Sequence, residues 1–184
     1  MDKKNTKILG IDPGTQITGY GLVEIRDKKP IIIQMGVLTP GKYKDHYQRI
    51  KFLHEKTLHL VDNYKPDVLA IEAPFYGKNV QVMLKLGRAQ GAIMAAALYR
   101  DLPVYEYAPL KVKEAITGMG RAAKEQVAYF LQKVYGLEEL PKDLDTTDAI
   151  AVAICHFIQM SKPSRKKEYK NWEEFVKKNP GKVK

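Results

Sequence analysis

The chain has one cysteine, Cys155, among its 184 residues. An internal disulfide is therefore excluded, and a single thiol in an apolar helical run fits a reducing, cytoplasmic setting. No apolar stretch is long enough to span a bilayer. The longest, around Gly91 to Leu98, is flanked by Arg88 and Arg100, so no membrane partner is expected. The N-terminus is charged and reaches strand-like sequence at once, without an apolar h-region, so no signal peptide is expected. No internal repeat is visible. Acidic residues are also scarce: 21 Asp and Glu face 31 Lys and Arg, for a formal charge of +10. The excess is uneven, because residues 162–184 hold nine Lys and Arg against three Glu. A basic tail on a basic body favours a nucleic-acid partner over an anionic membrane surface; a merely solubilising tail is the plainer alternative.

The length suits one domain, with residues 1–160 as the folded unit and 161–184 as a basic C-terminal tail. Lys7 to Asp12, Ile17 to Arg26 and Ile31 to Leu38 read as an opening β-meander, with a turn at Asp27–Pro30. Tyr43 to Asn63 turns helical, with Ile50, Leu53, Leu58 and Val61 on one face. Val68 to Glu72 is a continuous apolar run typical of a buried strand. Asn79 to Tyr99 is a long helix on which Gly87, Gly91 and Ala95 form a small-residue stripe. Intramolecular packing is the default use of such a stripe; a subunit contact is the sharper one. Val104 to Tyr107 is a strand, and Pro109 opens a helix to about Thr117. GMGRAA is a basic loop. Val127, Phe130, Leu131 and Val134 mark another helix, and Asp148 to Gln159 the last core helix. Beyond it, Trp172, Phe175 and Val176 would support a short helix. This order implies an α/β fold with a mixed five-stranded sheet flanked by helices.

The few acids are placed tellingly. Asp12 and Glu72 each end a strand, and Asp145 and Asp148 open an apolar helix. Each has a bland reading: a turn residue before Pro-Gly for Asp12, a solvent-facing strand end for Glu72, and helix-capping positions for the other two. Together they suggest more. Glu72 leaves a buried strand as a charge, which is costly without a proton or cation. Asp145 and Asp148, three apart, share a helix face. Two divalent ions would balance four carboxylates and would suit the in-line displacement of phosphodiester chemistry.

The segments ILGIDPGTQITGYG, AIEAPF, KNVQVMLKLGRAQG, VYEYAPLKVKEAITGMGRAAKEQV and DTTDAIAVAICH, in that order from Lys7 to Phe157, resemble the RuvC Holliday-junction resolvases. The resemblance implies a ribonuclease-H-like fold, a homodimer, and Mg²⁺-dependent paired nicking of four-way DNA junctions, leaving 5′-phosphate and 3′-hydroxyl ends during recombination and repair. It implies two Mg²⁺ ions per subunit, replaceable by Mn²⁺, held by Asp12, Glu72, Asp145 and Asp148. It places the family's active-site lysines on Lys113 and Lys124, where they would neutralise charge growing on the phosphate. It places an aromatic near the junction core on Phe75. Tyr76 beside it is a second candidate for stacking on a base. Lys78, Lys85, Arg88 and Arg121 are candidate phosphate contacts. Partnership with a RuvA–RuvB branch-migration complex is implied in the same way.

Three other readings use the same residues. An actin-like nucleotide-binding protein would use Asp12 to Tyr20 as a phosphate loop, but the chain is short for two lobes. A non-catalytic junction-binding protein would be expected to have lost an acid, and none is missing. Another ribonuclease-H-like nuclease acting on RNA would keep all four acids.

Overall fold

The computed structural model describes residues 5–74, 79–136, 144–161 and 172–178. Three strands open the chain: β1 (Asn5–Asp12), β2 (Thr18–Arg26) and β3 (Lys29–Leu38). A 3₁₀ turn (Pro40–Lys42) leads into α1 (His46–Tyr64), β4 (Val68–Glu72), α2 (Val80–Leu98) and β5 (Val104–Tyr107). Helices α3 (Pro109–Thr117), α4 (Lys124–Lys133), α5 (Leu144–Ser161) and α6 (Trp172–Lys178) follow. The sheet order is β3-β2-β1-β4-β5. The first three strands are antiparallel, while β4 lies parallel to β1 and β5 parallel to β4. This mixed five-stranded sheet has the ribonuclease-H-like topology expected from the sequence.

Strand alternation divides the core in two. On one face Ile8, Val23, Val68 and Ala70 meet α3, α4 and α5 through Val112, Leu131, Ile150 and Ile154. On the other, Leu9, Ile11, Leu22, Leu69 and Ile71 meet α1 and α2 through Leu53, Leu60 and Ile93. Large side chains buried in this way contribute about 1.5–3 kcal/mol each. The same alternation decides where the acids go. One residue past Ile11 and Ile71, Asp12 and Glu72 both turn toward the α5 face, at the ends of adjacent parallel strands.

Helix α5 sits unusually close to the sheet. Thr146, Thr147 and every residue from Ala149 to His156 are buried. Glycines permit the approach. Gly10 pairs with Gly21 and Asp12 with Gly19 across β1 and β2. A Cβ on Gly10 would come within 2.9 Å of the Ala153 Cβ, and one on Gly21 within 2.7 Å of the Ile150 side chain. A Cβ on Gly19 would overlap the Asp145 carbonyl. The first turn of α5 therefore rests on bare backbone beside Asp12.

Several local expectations shift. Helix α5 begins at Leu144, so Asp145 lies inside its first turn. On α1, Phe52, Leu53, Thr57, Leu60 and Val61 are buried, whereas Ile50 and Leu58 are half-buried. Thr57 takes the place expected of Leu58 because its hydroxyl donates to the Leu53 carbonyl at 2.8 Å, leaving no polar atom orphaned. Val134 is exposed and caps α4 rather than extending its buried face. The β2–β3 turn is tighter than expected: Asp27 and Lys28 have φ of 49° and 63°, and Pro30 already pairs with Ile25. Positive φ at both turn residues matches the twist of a two-residue hairpin. The GMGRAA loop begins with Gly118, whose φ of 77° ends α3 in the left-handed conformation that favours glycine. The small-residue stripe on α2 is not used for packing within the described residues: Gly87, Gly91 and Ala95 are exposed, and a Cβ on either glycine would meet nothing within 4 Å.

Candidate active site

Three carboxylates converge. Asp12 from β1 and Asp145 and Asp148 from α5 each offer an oxygen, and these oxygens lie within 4.8 Å of one another. Glu72, at the end of β4, stands beside this group, close enough for the Asp12 and Asp148 charges to act on it. All four are half-buried. The capping reading of Asp145 and Asp148 is thus incomplete, because both also point toward the strand acids.

Crowding shows in the proton affinities. Burial, then the charges of Asp148 and Asp145, push Asp12 up to about 7 despite the opposing pull of Lys124. Burial, then Asp12 and Asp148, push Glu72 up to about 8 against the pull of Lys124 and Lys113. Burial and Asp145 also raise Asp148, against Lys124 and Lys113. The cluster therefore carries more negative charge than its surroundings can solvate. Its donors are all hard carboxylate oxygens, the type that Mg²⁺ and Mn²⁺ take. The residues present fit such ions: Asp12, Asp145 and Asp148 as the gathered ligands, with Glu72 adjoining.

Lysines border the same cluster. The Lys124 ammonium, from the first turn of α4, donates to and pairs with the Asp148 carboxylate. Burial pulls the Lys124 pKa down, but that bond and the acidic charges around it raise it overall, so it stays protonated. Lys113 on α3 is half-buried, and its charge acts on both Glu72 and Asp148.

Further residues fix the frame. Gln90 on α2 is buried; its Nε2 donates to the Glu106 carboxylate at 3.0 Å and to the Glu72 main-chain carbonyl at 3.4 Å. Thr18 is fully buried, and its hydroxyl donates to the Gly14 carbonyl at 2.8 Å while accepting from the Gly14 N–H at 3.0 Å. Arg49 on α1 donates from Nε to the Tyr43 carbonyl at 2.7 Å and from Nη1 to the Thr15 carbonyl at 3.1 Å. The loop after Asp12 is thereby tied at two points. Sequence reasoning missed these three residues. A buried-looking Gln amid small residues and the Gly-x-x-x-Thr spacing were the available signals; nothing marked Arg49.

The remaining candidates separate. Lys85 and Arg88 are exposed on α2 and lie on the α1 side of the sheet. Arg121 is exposed on the α3–α4 connection, three residues before Lys124. Phe75, Tyr76 and Lys78 fall outside the described residues. No described helix is long and apolar enough to cross a membrane.

Comparison with known proteins agrees with this geometry. The profile of the family "Crossover junction endodeoxyribonuclease RuvC" matches residues 8–156. The crossover junction endodeoxyribonuclease RuvC of Christiangramia forsetii is 55% identical over 181 residues, 98% of this chain and 94% of the relative. That of Bacteroides fragilis is 53% identical over 183 residues, 98% of this chain and 97% of the relative. A Thermus thermophilus RuvC, solved in complex with Holliday junction substrate, superposes with a TM-score of 0.78 at 31% identity, over 84% of this chain and 94% of that one. By profile, sequence and fold, the chain belongs to the RuvC family of crossover junction endodeoxyribonucleases.

Proposed function

We propose that this protein resolves four-way DNA junctions by paired, metal-dependent nicking of phosphodiester bonds, serving recombination and repair inside the cell. The observation that carries the reading is the meeting of Asp12, Asp145 and Asp148 oxygens within 4.8 Å, bordered by Glu72 and Lys124. A phosphodiester hydrolase needs hard-cation ligands and a fixed cation for the phosphate, and both stand here.

Asp12, Asp145, Asp148 and Glu72 would hold two divalent ions, Mg²⁺ or Mn²⁺. When bound, such ions promote deprotonation of the attacking water and stabilise the leaving oxygen. The chain's own groups position and neutralise. Asp12 and Glu72 give up their protons as the site fills. Lys124 stays protonated, and with Lys113 beside it compensates charge that grows on the scissile phosphate. Breaking the bond between phosphorus and the 3′ oxygen leaves 5′-phosphate and 3′-hydroxyl ends, which a ligase seals.

Paired cuts call for two matched sites, and a two-fold homodimer supplies them. The support lies on α2. Gly87, Gly91 and Ala95 leave an open stripe, and Leu84 and Leu98 on the same helix are 50% and 55% exposed. A second copy of this helix would cover those apolar groups at close backbone range. Cooperation with a RuvA–RuvB branch-migration complex belongs to the same proposal.

The substrate assignment is tested by offering the purified protein a four-way DNA junction, the matching linear duplex and an RNA–DNA hybrid in Mg²⁺. Symmetric nicks in the junction alone are expected. Preferential cutting of the hybrid would replace this reading with that of an RNA-directed nuclease.

A further inference from the structure

A second group of charges lies on the other face of the sheet from the carboxylates. His46 opens α1, one turn before Arg49. Arg49 is committed to the Tyr43 and Thr15 carbonyls, which anchors the first turn of α1 against the loop that follows Asp12. Lys85 and Arg88, three residues apart on α2, are exposed, and their charges act on His46. Asp45, the acid nearest His46, caps α1 by accepting from the Gln48 N–H at 3.1 Å. The His46 Nε2 is buried and has no hydrogen-bond partner among the described residues. Its ring meets that of Tyr47 at 6.4 Å, a contact that offers no acceptor.

A buried polar nitrogen without a partner is costly, and one set among cations calls for an anion. A phosphate oxygen satisfies both demands. It would accept from Nε2–H and would draw the Lys85 and Arg88 side chains, which carry no ion pair of their own among the described residues. The loop of residues 13–17 joins this place to Asp12, so one nucleic-acid strand crossing the loop would reach both.

We propose that His46, Lys85 and Arg88 form a binding site for a DNA-backbone phosphate distinct from the scissile one, holding the strand that passes from the carboxylates across the 13–17 loop onto α2. The site rests on the junction-cleaving reading and adds a protonation-linked contact to it. In the free protein, burial and then Arg88, Lys85 and Arg49 press the His46 pKa down, with Asp45 opposing them. The imidazole is therefore neutral at pH 7. A bound phosphate reverses the local field and favours the imidazolium, so binding takes up a proton and tightens as pH falls.

The test measures four-way DNA junction affinity by fluorescence anisotropy in EDTA, across pH 6 to 8 and a salt series. On an Asp12→Asn/Glu72→Gln background, which removes two carboxylates that titrate across the same range, it compares the otherwise wild-type chain, His46→Gln and the Lys85→Gln/Arg88→Gln double variant, with circular dichroism to confirm folding. The otherwise wild-type chain should bind several-fold tighter at pH 6 than at pH 8. His46→Gln should lose most of that pH response. The double variant should lower the slope of log K against log salt by about one to two. An undiminished pH response in His46→Gln, or an unchanged salt slope in the double variant, overturns the site. Failure of the otherwise wild-type chain to bind the junction at any pH overturns the junction reading itself, a separate and recognisable outcome.

Discussion

Gly19 of β2 lies directly against the main-chain carbonyl of Asp145, with no room for a side chain between them. Gly19 is also the register partner of Asp12. One backbone position thus sets the distance between the strand acid and the helix acids. Gly19→Val would force the first turn of α5 outward. It should lower stability by about 1–3 kcal/mol, as overpacking does, and abolish Mg²⁺-induced thermal stabilisation. Differential scanning fluorimetry with and without Mg²⁺ reads both effects; a variant that keeps the full Mg²⁺ shift would show that this contact does not set the site.

The pH dependence follows from the strand acids. Asp12 and Glu72 keep their protons up to about 7 and about 8 in the folded, metal-free protein, against ordinary values of 3.8 and 4.5. Between those limits the folded state holds more protons than the unfolded one. Their stabilising contribution is therefore complete below about pH 4 and is lost as pH rises toward 8. Glu72→Gln removes one of these charges permanently, so it should raise the melting temperature of the metal-free protein at pH 8. The gain should shrink toward pH 5. Mg²⁺ affinity of the wild type should rise over the same range, because metal must displace those protons. Isothermal titration calorimetry in buffers of different ionisation enthalpy would count the protons released.

Lys124 pairs with Asp148 and stays protonated. Lys124→Ala should reduce junction cleavage by about 10²–10³-fold, the usual cost of losing one group that stabilises developing charge. Junction binding should persist. An equal fall in binding and cleavage would instead make Lys124 a DNA-affinity residue.

Gln90 links α2 to the end of β4 through the Glu72 carbonyl and Glu106. Gln90→Leu removes both bonds and leaves the Glu106 carboxylate without this donor. It should raise the Mg²⁺ concentration needed for half-maximal cleavage while changing junction affinity little. A wild-type Mg²⁺ requirement would limit Gln90 to packing.

The α2 stripe gives a prediction about assembly. Gly91→Leu fills a position with no neighbour within 4 Å among the described residues. Monomer stability should therefore be preserved, while the dimer, measured by analytical ultracentrifugation, should weaken. An unchanged dimer constant would remove α2 from the interface.

The acids were legible in the sequence because each interrupts a pattern: Asp12 and Glu72 end apolar strands, and Asp145 and Asp148 precede an apolar helix. That Asp12 and Glu72 end strands that could be neighbours was legible too; their common face follows from the parallel register of β1 and β4. Less legible was how near α5 could come, since nothing in the strand pattern around Gly10, Gly19 and Gly21 says that a helix rests on them. Lys113 and Lys124 look like ordinary helix-surface charges, and only the resemblance marked them. Arg49 and His46 were invisible for a different reason. Each acts through partners distant in sequence, and single-chain periodicity carries no signal for such contacts. The default expectation for Gly87 and Gly91 finds no partner among the described residues, because a stripe of small residues does not say whether its partner lies in the same chain.

The most direct measurement is cleavage of a synthetic four-way DNA junction in Mg²⁺, comparing wild type with Glu72→Gln. The account predicts paired, symmetric nicks by wild type and none by the variant, with junction binding retained in both. Binding without cleavage by wild type in both Mg²⁺ and Mn²⁺, or undiminished cleavage by Glu72→Gln, would contradict it.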